Sequence, residues 1–82
     1  MKVHARYFAL YRERVGKNTD DYDLPEKATV ADLVGAVMKR YPKFCPNPSQ
    51  MVVAVNREYV DHTHPLKTGD EAAFIPPVSG GA

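Results

Sequence analysis

The residues of this chain best placed to do chemistry lie at its C-terminal end, Phe74-Ile75-Pro76-Pro77-Val78-Ser79-Gly80-Gly81-Ala82. Pro76 and Pro77 lack backbone N–H groups, so a strand reaching Ile75 loses its ladder hydrogen bonds there. Pro77 also drives Pro76 towards an extended conformation. Beyond the prolines only Val78 carries a sizeable apolar side chain, and Gly80 and Gly81 carry none. This composition predicts an arm stiff at its root and mobile at its tip. Extended, residues 76–81 span at most roughly 20 Å, enough to enter another protein's active site. Without Cβ atoms, two glycines let the main chain pass a narrow channel and offer a terminal carboxylate to a nucleotide phosphate. A carboxylate is a poor electrophile, so such chemistry needs activation, for instance as an acyl-adenylate. A Ser-Gly-Gly-Ala ending is also what a frayed terminus looks like. The Pro-Pro brace straight after an apolar strand shifts the balance towards a functional tail, with the body as its handle.

The other reactive side chains carry less. Cys45 stands in a loop with no base or fellow ligand nearby, which suits a structural or incidental thiol. His62-x-His64 is half of a metal site, but no Cys or acidic ligand follows at zinc-type spacing, and no metal is expected. Asp20, Asp21 and Asp23 lack the glycine and distal glutamate of a calcium loop, so they read as a solvated strand face. His4 reads as a solvated strand position.

Several elements must hold the tail in place. Residues 3–10 alternate as a strand, Val3, Ala5 and Tyr7 against His4, Arg6 and Phe8, with Phe8 on the more exposed face. The period then changes, and Leu10, Tyr11 and Val15 share one side of a short helix that ends at Gly16. Arg12 and Arg14 favour its C-terminal dipole, Arg14 as a solvated charge. Residues 18–24 turn into a second strand that suits hairpin pairing with the first. Thr29 caps the main helix, answered by Asp32, and Val30, Leu33, Val34, Val37 and Tyr41 form its apolar stripe. Gly35 within it costs about 1 kcal/mol relative to alanine, which suggests close packing against it. Residues 42–50, with three prolines, are loop. Residues 51–55 form a continuous apolar run, a central strand buried on both faces. Asn56-Arg57-Glu58 is a turn, Asn56 tolerating positive φ, and Tyr59-Val60 a short returning strand. Leu66 plugs the core, and residues 71–75 make the last strand. A hairpin, a crossing helix and further strands amount to an α+β roll, one main helix over a mixed sheet of about five strands. The last strand can then pair centrally beside the first. One domain, residues 1–75, is expected, followed by a tail over residues 76–82.

Composition narrows the classes. Eighty-two residues make one small domain. A net charge of +1, with acids and bases interspersed, gives no electrostatic case for nucleic acid or an anionic membrane. No apolar run approaches the ~18 residues of a membrane span, and no signal-peptide pattern opens the chain. A single cysteine allows no internal disulfide, so a reducing cytoplasm is the simplest location.

With these elements in place, the chain resembles the small subunit of molybdopterin synthase, a ubiquitin-like sulfur carrier of the β-grasp fold. The matching residues are Tyr7-Phe8-Ala9 with Arg12-Glu13, Ala54-Val55-Asn56, His64-Pro65-Leu66, Gly69-Asp70-Glu71, and Phe74 through Gly81. They span essentially the whole chain, and the Pro-Pro-Val-Ser-Gly-Gly ending joined to Gly-Asp-Glu is their most specific part. The resemblance implies that a ubiquitin-activating-type enzyme adenylates the terminal glycine with ATP, and that a sulfur donor protein converts it to a thiocarboxylate. The tail then enters the synthase large subunit, where sulfur passes to a pyranopterin precursor of the molybdenum cofactor. Gly81 would bear the sulfur and Gly80 be its slim neighbour. The chain would bind no cofactor itself and act as a non-catalytic, sulfur-donating subunit. Partner docking is expected on exposed apolar surface near the tail, at Phe8, Arg12, Phe74, Ile75, Pro76, Pro77, Val78 and Ser79.

One departure from the family is Ala82, because family members end at the second glycine. Trimming by a peptidase, an artefact of the sequence, or a different activation each account for it. Within the same chemistry the sulfur could instead serve thiazole synthesis or tRNA thiolation. A protein modifier joined to lysines, or a plain binding module, are the readings from other classes.

Overall fold

The computed structural model describes residues 1–76. The expectations that fall on Pro77, Val78, Ser79, Gly80, Gly81 and Ala82 lie outside the described residues. In chain order the elements are β1 (Lys2–Tyr7), α1 (Ala9–Val15), β2 (Thr19–Asp23), α2 (Val30–Arg40), a 3₁₀ turn (Pro48–Gln50), β3 (Val52–Val55), β4 (Glu58–Val60) and β5 (Glu71–Ile75).

The strands form one mixed sheet in the order β2-β1-β5-β3-β4. β1 and β5 run parallel, and the other neighbours are antiparallel. As the alternation in β1 predicts, Val3, Ala5 and Tyr7 are buried while His4 and Arg6 are exposed. α2 covers this inner face, and its Val30, Leu33, Val34 and Val37 join Val3, Ala5, Tyr7, Val53 and Phe74 in a single buried cluster. The helix begins as its sequence indicates, with the Asp32 carboxylate accepting from the Thr29 N–H at 2.8 Å and from its hydroxyl at 3.2 Å. Gly16 ends α1 in the left-handed conformation at φ 85°, where a Cβ would be strained. Asn56 and Arg57 both take positive φ, the twist of a two-residue hairpin turn between β3 and β4. No helix among the described residues is long and apolar enough to cross a membrane.

Three expectations are corrected. Leu10 does not share the buried side of α1 with Tyr11; it is 45% exposed, because Ala9 enters the helix at φ 49° and resets the periodic face. Arg14 is exposed, as expected, and its Nη1 also donates to the Phe44 carbonyl at 2.8 Å, which ties α1 to the proline-rich loop. Gly35 meets no close neighbour, as a Cβ there would find nothing within 4 Å. Asp20 is not on a solvated face. Its side chain is largely buried and accepts from the hydroxyls of Tyr41 at 2.6 Å and Tyr7 at 3.0 Å, with the Lys17 ammonium at 3.2 Å. Burial works to raise the Asp20 pKa, but the hydrogen bonds from Tyr41, Lys17 and Tyr7 outweigh it and hold the carboxyl below the ordinary range.

Candidate functional site

β5, the strand that precedes the C-terminal segment, lies in the middle of the sheet. β5 is bonded on one side to β1, with His4 opposite Glu71 through Tyr7 opposite Phe74. On the other side it is bonded to β3, with Val52 opposite Ile75 through Val55 opposite Ala72. A strand held by two ladders cannot swing without breaking both, so Pro76 follows a fixed point.

Beneath that point lies an aromatic cluster. Phe74 stacks on Tyr7 at 5.8 Å between ring centres and meets Phe44 edge-on at 5.7 Å. Phe44 in turn packs on Tyr11 at 4.5 Å. This corrects the expectation that Phe74 docks a partner: it is fully buried, because its position in β5 points it at α2 rather than away. Phe44, inside a loop with prolines on both sides of it, is the cluster member that proline content conceals.

The residues on the other face of β5 are the accessible ones. Ile75 is half-buried and pairs with Val52, Ala73 pairs with Ala54, and Ala54 pairs across to Tyr59 on β4. Tyr59 is 74% exposed, and Phe8, next along β1 from the Tyr7–Phe74 pair, is 38% exposed. Strand alternation therefore places Phe8, Ala73, Ile75, Val52 and Tyr59 on one uncovered sheet face at the root of the C-terminal segment. Tyr59 is the member that sequence reasoning missed. Its signal was a large aromatic in a three-residue edge strand, opposite a small alanine. Charges rim the face on the β1 side: Arg6 lies 5.5 Å from the Phe8 ring centre and 3.8 Å from Glu71, and His4 Nδ1 lies 2.6 Å from Asp21. Arg12 is exposed on α1.

Pro76 belongs to a second feature, a groove of about 250 Å³ lined by Leu10, Tyr11, Arg14, Cys45 and Met51 among others. The Cys45 thiol there is buried and lies 3.6 Å from the Tyr11 hydroxyl. Burial, with the hydrogen bond to Cys45, pushes the Tyr11 phenol up to about 12, so it stays protonated and offers no base. Of the histidines, His62 donates from Nε2 to the Met51 carbonyl at 2.7 Å. The backbone carbonyls of His62 and His64 accept from the first turn of α2, at 2.9 Å from the Ala31 N–H and 3.0 Å from the Val30 N–H. The pair thus secures the helix start. Among the described residues no group of three or more His, Cys, Asp or Glu could hold a metal ion. Among the described residues the geometry fixes the strand that precedes the C-terminal segment and frames it with apolar surface, with no acid, base and nucleophile brought together.

Comparison with known proteins agrees with this arrangement. The ThiS family model matches residues 5–81. The molybdopterin synthase sulfur carrier subunit of Chlamydomonas reinhardtii is 37% identical over 83 residues, covering 99% of this chain and 100% of the relative. That of Escherichia coli K12 is 35% identical over 81 residues, covering 96% and 99%. Among solved structures, small archaeal modifier protein 1 from Haloferax volcanii superposes with a TM-score of 0.84 at 26% identity, covering 94% and 98%. The five-stranded sheet and crossing helix are thus the ubiquitin-like β-grasp fold, and the chain belongs to the ThiS family, within it to the molybdopterin synthase sulfur carrier subunits.

Proposed function

We propose that this chain carries sulfur as a thiocarboxylate on Gly81 and delivers it to a pyranopterin precursor held by the large subunit of molybdopterin synthase. A ubiquitin-activating-type enzyme joins the Gly81 carboxylate, with Ala82 removed, to the α-phosphate of ATP and releases pyrophosphate. A persulfide on a sulfur donor protein then attacks the acyl carbon through its outer sulfur and displaces AMP. A thiol cleaves the resulting acyl disulfide at the donor's own sulfur, releasing the Gly81 thiocarboxylate and leaving a disulfide on the donor. Gly80 and Gly81 serve because they lack side chains, and Val78 and Ser79 line the passage into the partner. Phe8, Ile75 and Tyr59 seat the partner beside that passage, with Arg12 alongside.

The observation that carries this reading is the position of β5: a central strand, clamped on its inner face and apolar on its outer one, runs straight into Pro76. That is the geometry of a handle for a reactive end. The relatives, sulfur carrier subunits of molybdopterin synthase, support a sulfur-carrying role within a larger complex. The test is reconstituted sulfur transfer with Gly81→Val and with a chain lacking Gly80 and Gly81. Both are expected to lose transfer while the unfolding midpoint stays unchanged. Normal transfer by either would overturn the reading.

The likeness to a small archaeal modifier protein favours a second use of the same end, an isopeptide bond from Gly81 to lysines of other proteins. Covalent adducts in extract that vanish with Gly80 and Gly81 would establish it.

A further inference from the structure

Ala9 adopts φ 49°, a left-handed conformation unfavourable to any residue with a Cβ. It stands between Phe8 and Leu10, which with Tyr59 are the exposed large hydrophobics among the described residues. The two neighbours are sent to different places. Phe8 stays on the open sheet face with Arg6 against its ring, whereas Leu10 lines the groove that Pro76 closes. Directly after this left-handed residue, Leu10 stands outside the core and in the groove.

The groove's chemistry is specific. Tyr11, Cys45 and Met51 give it an apolar floor, and Arg14 stands at its edge. One guanidinium nitrogen of Arg14 is engaged by the Phe44 carbonyl. Among the described residues no carboxylate forms an ion pair with Arg14. An apolar slot beside an unpaired guanidinium matches a large apolar side chain with a carboxylate next to it. Because Pro76 is both a wall of the groove and the start of the C-terminal segment, the slot is continuous with the root of the segment that the partner takes up.

We propose that this groove is a second docking point for the protein that takes up the C-terminus, receiving an apolar side chain of that partner with a neighbouring carboxylate on Arg14. Ala9 acts as its positioning residue. The inference rests on the sulfur-carrier reading for the identity of the partner. The test is the affinity of the full chain for purified molybdopterin synthase large subunit. Leu10→Glu, at an exposed site, is expected to weaken binding by at least about tenfold without lowering the melting temperature, and Leu10→Met to restore it. Ala9→Gly, which takes the left-handed conformation without strain, is expected to raise the melting temperature and keep the affinity within about twofold, while Ala9→Val, for which that conformation is least accessible, is expected to lower the melting temperature and weaken binding. A Leu10→Glu affinity within about twofold of the parent overturns the proposal. The two failures read differently. An unaffected Leu10→Glu affinity removes the groove alone, whereas sulfur transfer that survives loss of Gly80 and Gly81 removes the carrier reading and leaves the affinity result standing.

Discussion

Phe74 and Ile75 are neighbours in β5, and Tyr7 and Phe8 are neighbours in and just after β1, yet within each pair the two residues belong to different parts of the molecule. Tyr7 and Phe74 stack inside the aromatic cluster, both almost wholly buried. Phe8 and Ile75 lie on the uncovered face, at the point where the chain departs. The strand period separates the two roles within a single step of the backbone. The lesson is that the sheet is two surfaces sharing one ladder: the inner fixes β5 as far as Pro76, and the outer offers apolar surface beside it.

The strongest way to break this comparison is Phe74→Ala. Removing a fully buried ring between Tyr7 and Phe44 should cost about 3–5 kcal/mol by chemical denaturation. A loss below about 1 kcal/mol would mean that the inner face does not hold the root. On the outer face the balance should invert. Phe8→Ser or Ile75→Asp is expected to weaken large-subunit binding roughly ten- to hundredfold, with a smaller effect on the unfolding midpoint than Phe74→Ala has. Equal effects on stability and binding from both faces would dissolve the distinction.

A third test concerns the β2 edge. Asp20→Asn replaces the charged acceptor for Tyr41, Tyr7 and Lys17 and should cost about 1–3 kcal/mol near neutral pH. Because the folded Asp20 pKa is depressed, its contribution is complete above the ordinary aspartate pKa of about 3.9 and fades as pH falls below it. Denaturation at pH 7 and pH 3 should therefore show the parent losing stability that the variant lacks at both. The smallest effect expected is a gain. Gly35→Ala, exposed and with nothing within 4 Å of its Cβ, should stabilise by about 1 kcal/mol and leave partner affinity alone.

Much of the fold was legible because local signals agreed. The alternation from Val3 to Tyr7, the Thr29–Asp32 start of α2, the Asn56 turn and the proline stop after Ile75 each name one structure. Parity was harder. In Glu71-Ala72-Ala73-Phe74-Ile75 one alternating set is Ala72 and Phe74 and the other Glu71, Ala73 and Ile75; Glu71 alone marks the outer set, a weak signal against Ile75, and Phe74 is easily assigned to the wrong side. Long-range partners leave no local trace either: Arg14 on the Phe44 carbonyl spans 30 residues, and Asp20 meets Tyr41 across 21. Phe44 sits deep in the cluster because tertiary packing, not periodicity, pulls a proline-rich loop inward. Of the uncovered face, Phe8 was legible from the alternation that begins at Val3 and Ile75 from its place just before the prolines. Tyr59 joins them only through strand pairing, which the sequence alone does not print.

The central claim is that a bare main-chain end does the chemistry and the body only holds it. The most direct measurement is intact-mass and fragmentation analysis of the chain ending at Gly81, after incubation with ATP, an activating enzyme and a sulfur source. One oxygen-for-sulfur exchange, located at Gly81, is the predicted result. Sulfur found instead on Cys45, or cofactor assembly proceeding with no exchange at Gly81, would contradict it.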